Sequence, residues 1–110
     1  MKDMLHTLEA TIAARRDADP AESYVARLLA KGAPAIARKV GEEAVETVIA
    51  ALSEDRRALT GEAADLIFHL LVLLAARGVA LDDVLAELAR REGVSGIAEK
   101  AARGMKPSSD

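Results

Sequence analysis

Cysteine and tryptophan are both absent from this 110-residue sequence, and tyrosine and phenylalanine occur once each. Without cysteine there is no disulfide framework, thiolate zinc site or iron–sulfur cluster, a pattern that suits a reducing compartment. The two histidines do not make a zinc site by themselves. Basic residues are not in excess. The formal net charge is −3 and the pI about 5.4, so the electrostatic footprint of a nucleic-acid-binding domain is missing. The N-terminus lacks the apolar core of a signal peptide. The most apolar run, residues 63–76, is too short for a membrane span and contains Asp65 and His69. The expectation is a soluble, cytoplasmic protein with no nucleic-acid or membrane partner.

What is present is aliphatic and charged. Hydrophobic residues make up 51% and charged residues 30%, with aromatics at only 2%, a balance that suits packed helices better than a sheet. The length fits one domain over residues 1–110. Helix punctuation falls at regular intervals. A first amphipathic helix is predicted over residues 2–16, burying Leu5, Leu8 and Ile12. Asp19 and Pro20 suit a cap and first helical position, giving a second helix that stops near Gly32. Pro34 starts a third, which runs to Leu52. Ser53, followed by Glu54 and Asp55, reads as the cap of a fourth that ends at Gly78. Gly61 inside it costs roughly 1 kcal/mol against alanine, which allows for a close neighbour there. The stretch "LDDVLAELARR" makes a fifth helix, with Val84, Leu85 and Leu88 inward, and residues 95–103 a short sixth before a frayed tail. The predicted fold is all-α, an antiparallel bundle of about five to six helices.

Two acidic patterns stand out. In "VGEEAVE", at roughly 100° per residue, Glu42, Glu43 and Glu46 share one side of the third helix, with Val40, Ala44, Val48 and Ala51 opposite. Alone, that is a solvated face or a cation site. Glu62 and Asp65 lie three apart on the fourth helix, and His69 continues their stripe among Leu66, Ile67 and Phe68. Carboxylates in such a setting are expensive to desolvate unless paired, protonated or bound to a cation. If the two long helices fold back near residue 54, Glu43 falls opposite Asp65 and Glu46 opposite Glu62, roughly 12 Å from the turn. Converging carboxylates without sulfur suit Mg²⁺, with Mn²⁺ as a second choice.

The spacing Glu43-x-x-Glu46, then Glu62-x-x-Asp65 after fifteen intervening residues, resembles the signature of the all-α nucleoside triphosphate pyrophosphatases of the MazG-like superfamily. Within it, "SYVARLLAKG", "ARKVGEEAVE", "GEAADLIFHLLVLLAARGVALDDVLAEL" and "SGIAEKAAR" look like the phosphoribosyl-ATP pyrophosphatase family of histidine biosynthesis, over about residues 5–103. The resemblance implies hydrolysis of phosphoribosyl-ATP to phosphoribosyl-AMP and pyrophosphate, without a fused neighbouring pathway activity. Glu43, Glu46, Glu62 and Asp65 are then the metal ligands, with Glu46 and Glu42 in catalysis and Glu42 the candidate for polarising water. Lys39, Arg27, Lys31 and His69 are the candidates for holding substrate. Each has a plainer role available, as a helix-surface ion pair, an exposed cation or a hydrogen-bonded core histidine. The resemblance also implies a homodimer or higher homo-oligomer. Phe68 stands where the family often has tyrosine, which removes any hydroxyl role there.

Other classes fit less well. A carboxylate-bridged di-iron bundle needs Glu-x-x-His pairs on two helices, which neither histidine supplies. A purely structural helical adaptor does not explain Asp65 and His69 in an apolar helix. A related pyrophosphatase acting on another (deoxy)nucleoside triphosphate is the alternative, although such broad enzymes often stack bases on aromatic residues that are scarce here. With one tyrosine, Tyr24, and one phenylalanine, Phe68, an aromatic sandwich is not the main device for recognising a base.

Overall fold

Helix caps divide the chain much as its punctuation suggests, with shifts at several ends. A computed structural model describes residues 3–92. Among them are five helices and no strand: α1 (Met4–Ala14), α2 (Tyr24–Lys31), α3 (Ala33–Ser53), α4 (Arg56–Ala76) and α5 (Leu81–Arg91). Asp3, Ser23 and Asp55 cap α1, α2 and α4 by accepting from the backbone N–H of Leu5, Ala26 and Ala58. The second helix therefore begins at Tyr24 rather than near Pro20. Asp19 caps only a turn, through the Ala21 N–H at 2.9 Å. The cap of α4 is Asp55 and not Ser53, because Ser53 still belongs to α3 and its hydroxyl donates to the Ile49 carbonyl at 2.8 Å. The predicted helix over residues 95–103 and the tail from 104 lie outside the described residues.

Gly78 ends α4 at φ 69°, a conformation that costs glycine little, while the Val79 N–H bonds the Leu74 carbonyl at 2.9 Å and the Gly78 N–H bonds Ala75 at 3.2 Å. Gly32, at φ 89°, makes the break between α2 and α3. All five helices contribute to one buried cluster, Ile12, Val25, Leu28, Ile36, Leu71, Val72 and Leu81. Ile36 and Val72 are fully buried, and each contributes about 1.5–3 kcal/mol by leaving water.

The long antiparallel hairpin of α3 and α4 is the spine, with α1 and α2 packed against it. Its packing corrects one expectation. The acid-bearing side of α3 turns inward and buries Glu43, while Val48 and Ile49 are exposed and Leu52 is 82% exposed. The sequence pattern predicts Val48 and Ala51 inward, but inside one chain α4 meets the other face. Helix α4 is likewise less enclosed than its apolar run implies, since Ile67 and Leu70 are each more than 40% exposed. With 21 residues and mean hydropathy of 1.7 over its most apolar window, α4 is long and apolar enough to cross a membrane. The expectation that the run is too short is corrected to that extent. The helix nevertheless carries Glu62, Asp65 and His69 and packs against α1, α2 and α3.

Helix α5 is tied to α1 by polar contacts at its N-terminus. His6 lies 2.7 Å from Asp3 through Nδ1 and 2.6 Å from Asp82 through Nε2. With a carboxylate at each nitrogen, both ring nitrogens donate and the imidazolium form is favoured. Asp82 and then Asp3 hold the ring's pKa above the ordinary histidine value. Beside it, the Glu9 carboxylate accepts from the Leu81 N–H at 2.8 Å, capping α5 from another helix.

Candidate metal centre

The turn at residues 54 and 55 sets the register of α3 on α4, and that register gathers the acids. Glu43, Glu62 and Asp65 each place one carboxylate oxygen within 4.8 Å of the others. The Thr47 hydroxyl sits between the two helices, 2.7 Å from the Glu43 carbonyl and 3.2 Å from the Glu62 carbonyl, and pins the register locally. Burial is uneven: Glu43 is 5% exposed, Glu62 half-buried and Asp65 exposed. The apolar neighbours of Asp65 in sequence therefore do not enclose it. The desolvated carboxylate is the one on α3.

Glu43 is the electrostatic problem of the site. Its Oε1 lies 3.4 Å from Nζ of Lys39, while its buried Oε2 has no hydrogen-bond partner among the described residues. A buried carboxylate oxygen left unpartnered is costly. Glu46, one turn along α3 and exposed, adds to the problem. Hydrogen bonding with Glu43, its charge and that of Glu62 hold the Glu46 carboxyl above the usual carboxylate range. Two relations resolve such crowding: a shared proton or a bound cation. The donors are all oxygen, three of them lie close together and one is orphaned inside the protein, so the residues fit a hard divalent cation.

Lys39 joins this cluster to a groove. It bonds Glu43 at 3.4 Å and approaches Glu42 at 4.0 Å, and the Glu43 contact foremost raises its pKa, so it stays cationic. The groove encloses about 410 Å³, and its walls include Tyr24, Lys31, Arg38, Lys39 and Glu42. Of the residues proposed from sequence, Lys31, Lys39 and Glu42 thus meet beside the acids. Arg27 does not line this groove, and its Nε donates to the Pro20 carbonyl at 3.1 Å. His69 is buried, bonding the backbone carbonyl of Asp65 at 2.7 Å rather than its carboxylate.

Arg38 and Tyr24 are additions from the fold. Arg38 had a readable signal, since it precedes Glu42 by four residues and shares its helix side. Tyr24 had none, because its place depends on how α2 packs on α4.

The family model for phosphoribosyl-ATP pyrophosphohydrolase matches residues 5–92. A phosphoribosyl-ATP pyrophosphatase of Rhizorhabdus wittichii is 71% identical over 103 residues, covering 94% of this chain and 97% of the relative. One from Erythrobacter litoralis is 73% identical over 100 residues, covering 91% and 96%. A third, from Zymomonas mobilis, is 61% identical over 102 residues, covering 93% and 95%.

Proposed function

The chain belongs to the phosphoribosyl-ATP pyrophosphohydrolase family, and from that premise we propose that it hydrolyses phosphoribosyl-ATP to phosphoribosyl-AMP and pyrophosphate at the carboxylate cluster of α3 and α4. The observation that carries the reading is the buried, unpartnered Glu43 oxygen among other carboxylates, beside a groove with three cationic side chains. Glu43, Glu46, Glu62 and Asp65 hold Mg²⁺, or alternatively Mn²⁺. When bound, a divalent cation neutralises phosphate oxygens and lowers the pKa of an attacking water.

The chain's own groups supply the rest. Lys39, placed between the acids and the groove, binds a phosphate oxygen, and Arg38 and Lys31 bind those further along. Among the described residues Glu42 has no close partner beyond Lys39 at 4.0 Å, which leaves its carboxylate able to orient the water and take its proton. The water oxygen bonds to phosphorus at the α–β phosphoanhydride as its proton passes to Glu42, the bridging P–O bond breaks, and pyrophosphate leaves. Glu46, one turn along α3 from Glu43, completes the ligand set.

Exposed apolar side chains on the hairpin support a homodimer. Val48, Ile49 and Leu52 on α3 and Ile67 and Leu70 on α4 are each exposed, and a second copy would cover such side chains. Soluble, cytoplasmic residence follows for an enzyme of a small phosphorylated metabolite.

The test is product analysis with phosphoribosyl-ATP beside ATP and deoxynucleoside triphosphates, in Mg²⁺ and again in chelator. The expected result is pyrophosphate release with strong preference for phosphoribosyl-ATP, abolished by chelation and restored by Mg²⁺. Equal turnover of the simple triphosphates, or full activity after rigorous metal removal, contradicts the proposal.

A further inference from the structure

Tyr24 is held more firmly than a half-exposed side chain needs to be. Its ring stacks on Phe68 with centroids 6.1 Å apart and planes 19° from parallel. Its hydroxyl lies 2.7 Å from Nε2 of His69, whose ring meets both aromatic rings edge to face. His69 is itself fixed, with Nδ1 2.7 Å from the Asp65 backbone carbonyl. A carbonyl only accepts, so Nδ1 carries the proton; in the neutral ring Nε2 then accepts and the Tyr24 hydroxyl donates. The hydroxyl proton is therefore committed to the protein interior.

What stays uncommitted is the ring. Tyr24 is 45% exposed and forms part of the groove wall with Lys31, Arg38 and Lys39. Phe68 backs it, so it offers a one-sided platform rather than half of a sandwich. Its rotamer is fixed before any ligand arrives, which removes one ordering cost of binding. The cations suit phosphates. A flat π-surface among them suits a planar base carried by those phosphates, with Lys39 marking the end of the groove next to the acids.

We propose that Tyr24 contacts substrate, its ring packing against the adenine of the nucleotide, and that His69 and Phe68 are positioning residues that act through it. This rests on the nucleotide reading of the groove above. Tyr24 is the only tyrosine and there is no tryptophan, so its ring protons can be followed without overlap from either type. In NMR titrations of the full chain with Mg²⁺, AMP should move the Tyr24 ring resonances upfield. Ribose 5-phosphate and pyrophosphate should move them far less. Equal shifts from ribose 5-phosphate and AMP would overturn base packing.

Kinetics give the second arm. Tyr24→Leu should raise KM for phosphoribosyl-ATP about tenfold while kcat stays within about threefold, and Tyr24→Phe, which keeps the ring but loses the bond to His69, should raise KM less, by about as much as His69→Ala. His69→Ala should also raise KM, His69→Gln should restore most of it, and His69→Ala should add nothing once residue 24 is leucine. An unchanged KM in folded Tyr24→Leu, or full additivity in the double variant, overturns the assignment. If wild type fails to hydrolyse phosphoribosyl-ATP, the enzymatic reading falls, and the AMP titration still decides the role of Tyr24.

Discussion

Replacing Glu43 with glutamine separates a metal ligand from a structural ion pair. Glutamine keeps the length and most of the packing but removes the charge of a side chain that is 5% exposed, with Oε2 unpartnered and Oε1 3.4 Å from Lys39. In chelator two effects oppose. Loss of attraction to the partly exposed Lys39 costs about 0.2–1 kcal/mol after solvent screening. Removing the charge of a buried carboxylate that crowds Glu62 and Asp65 offsets that cost, while the amide keeps one polar atom at the Oε2 position. The metal-free variant should therefore be as stable as wild type or more so. In Mg²⁺ at about 100 times its Kd, wild type gains about 2.7 kcal/mol by mass action. At about 4 °C per kcal/mol for a chain of this size, its Tm should rise by on the order of 10 °C. The variant, lacking the buried ligand, should gain only a few degrees at that concentration. The assay is thermal melting with chelator or Mg²⁺ at matched ionic strength, since screening alone shifts surface electrostatics. A variant that keeps the full Mg²⁺ shift, or melts far below wild type in chelator, refutes the reasoning.

Glu46→Gln should likewise lose turnover yet gain stability in chelator. The Glu46 carboxyl is held above its unfolded value, so the metal-free fold loses stability as pH rises from the ordinary glutamate value through the raised one; melts from pH 4 upward should show a shallower fall in the variant, and identical profiles would count against the crowding. The raised pKa of His6 means its tie to Asp82 is fully present below about 6.5 and fades as pH rises through the folded value. His6→Gln should flatten that part of the stability profile, and an unchanged slope would leave His6 without a role in it. A Cβ at Gly61 meets nothing within 4 Å among the described residues, so Gly61→Ala should stabilise α4 by up to about 1 kcal/mol. A lower Tm would place another molecule, such as a second copy, on that face.

The acidic register was legible because it needs only helix geometry and one turn. Glu43 meets Glu62 and Asp65 across the hairpin, while Glu46 is not one of the three gathered acids, and the turn falls at residues 54 and 55 whether Ser53 or Asp55 makes the cap. Which side of α3 faces inward was not legible. One side carries the acids and the other Val48 and Leu52, and periodicity cannot distinguish an apolar face that meets this chain's core from one that meets a second copy. Glu43 was therefore not recognisable as the buried member of the cluster. The Tyr24–His69 bond was hidden for a different reason, because its residues come from α2 and α4, whose contact depends on the whole packing. Its uncharged partners leave no pairing pattern in the sequence.

The most direct measurement is anomalous diffraction from crystals of the chain soaked in Mn²⁺, with Glu43→Gln crystals treated in parallel. The expected result is density within ligand distance of Glu43, Glu46, Glu62 and Asp65 in wild type, and its loss or marked weakening in the variant. Mn²⁺ bound elsewhere, or bound equally in both, contradicts the carboxylate cluster as the metal centre.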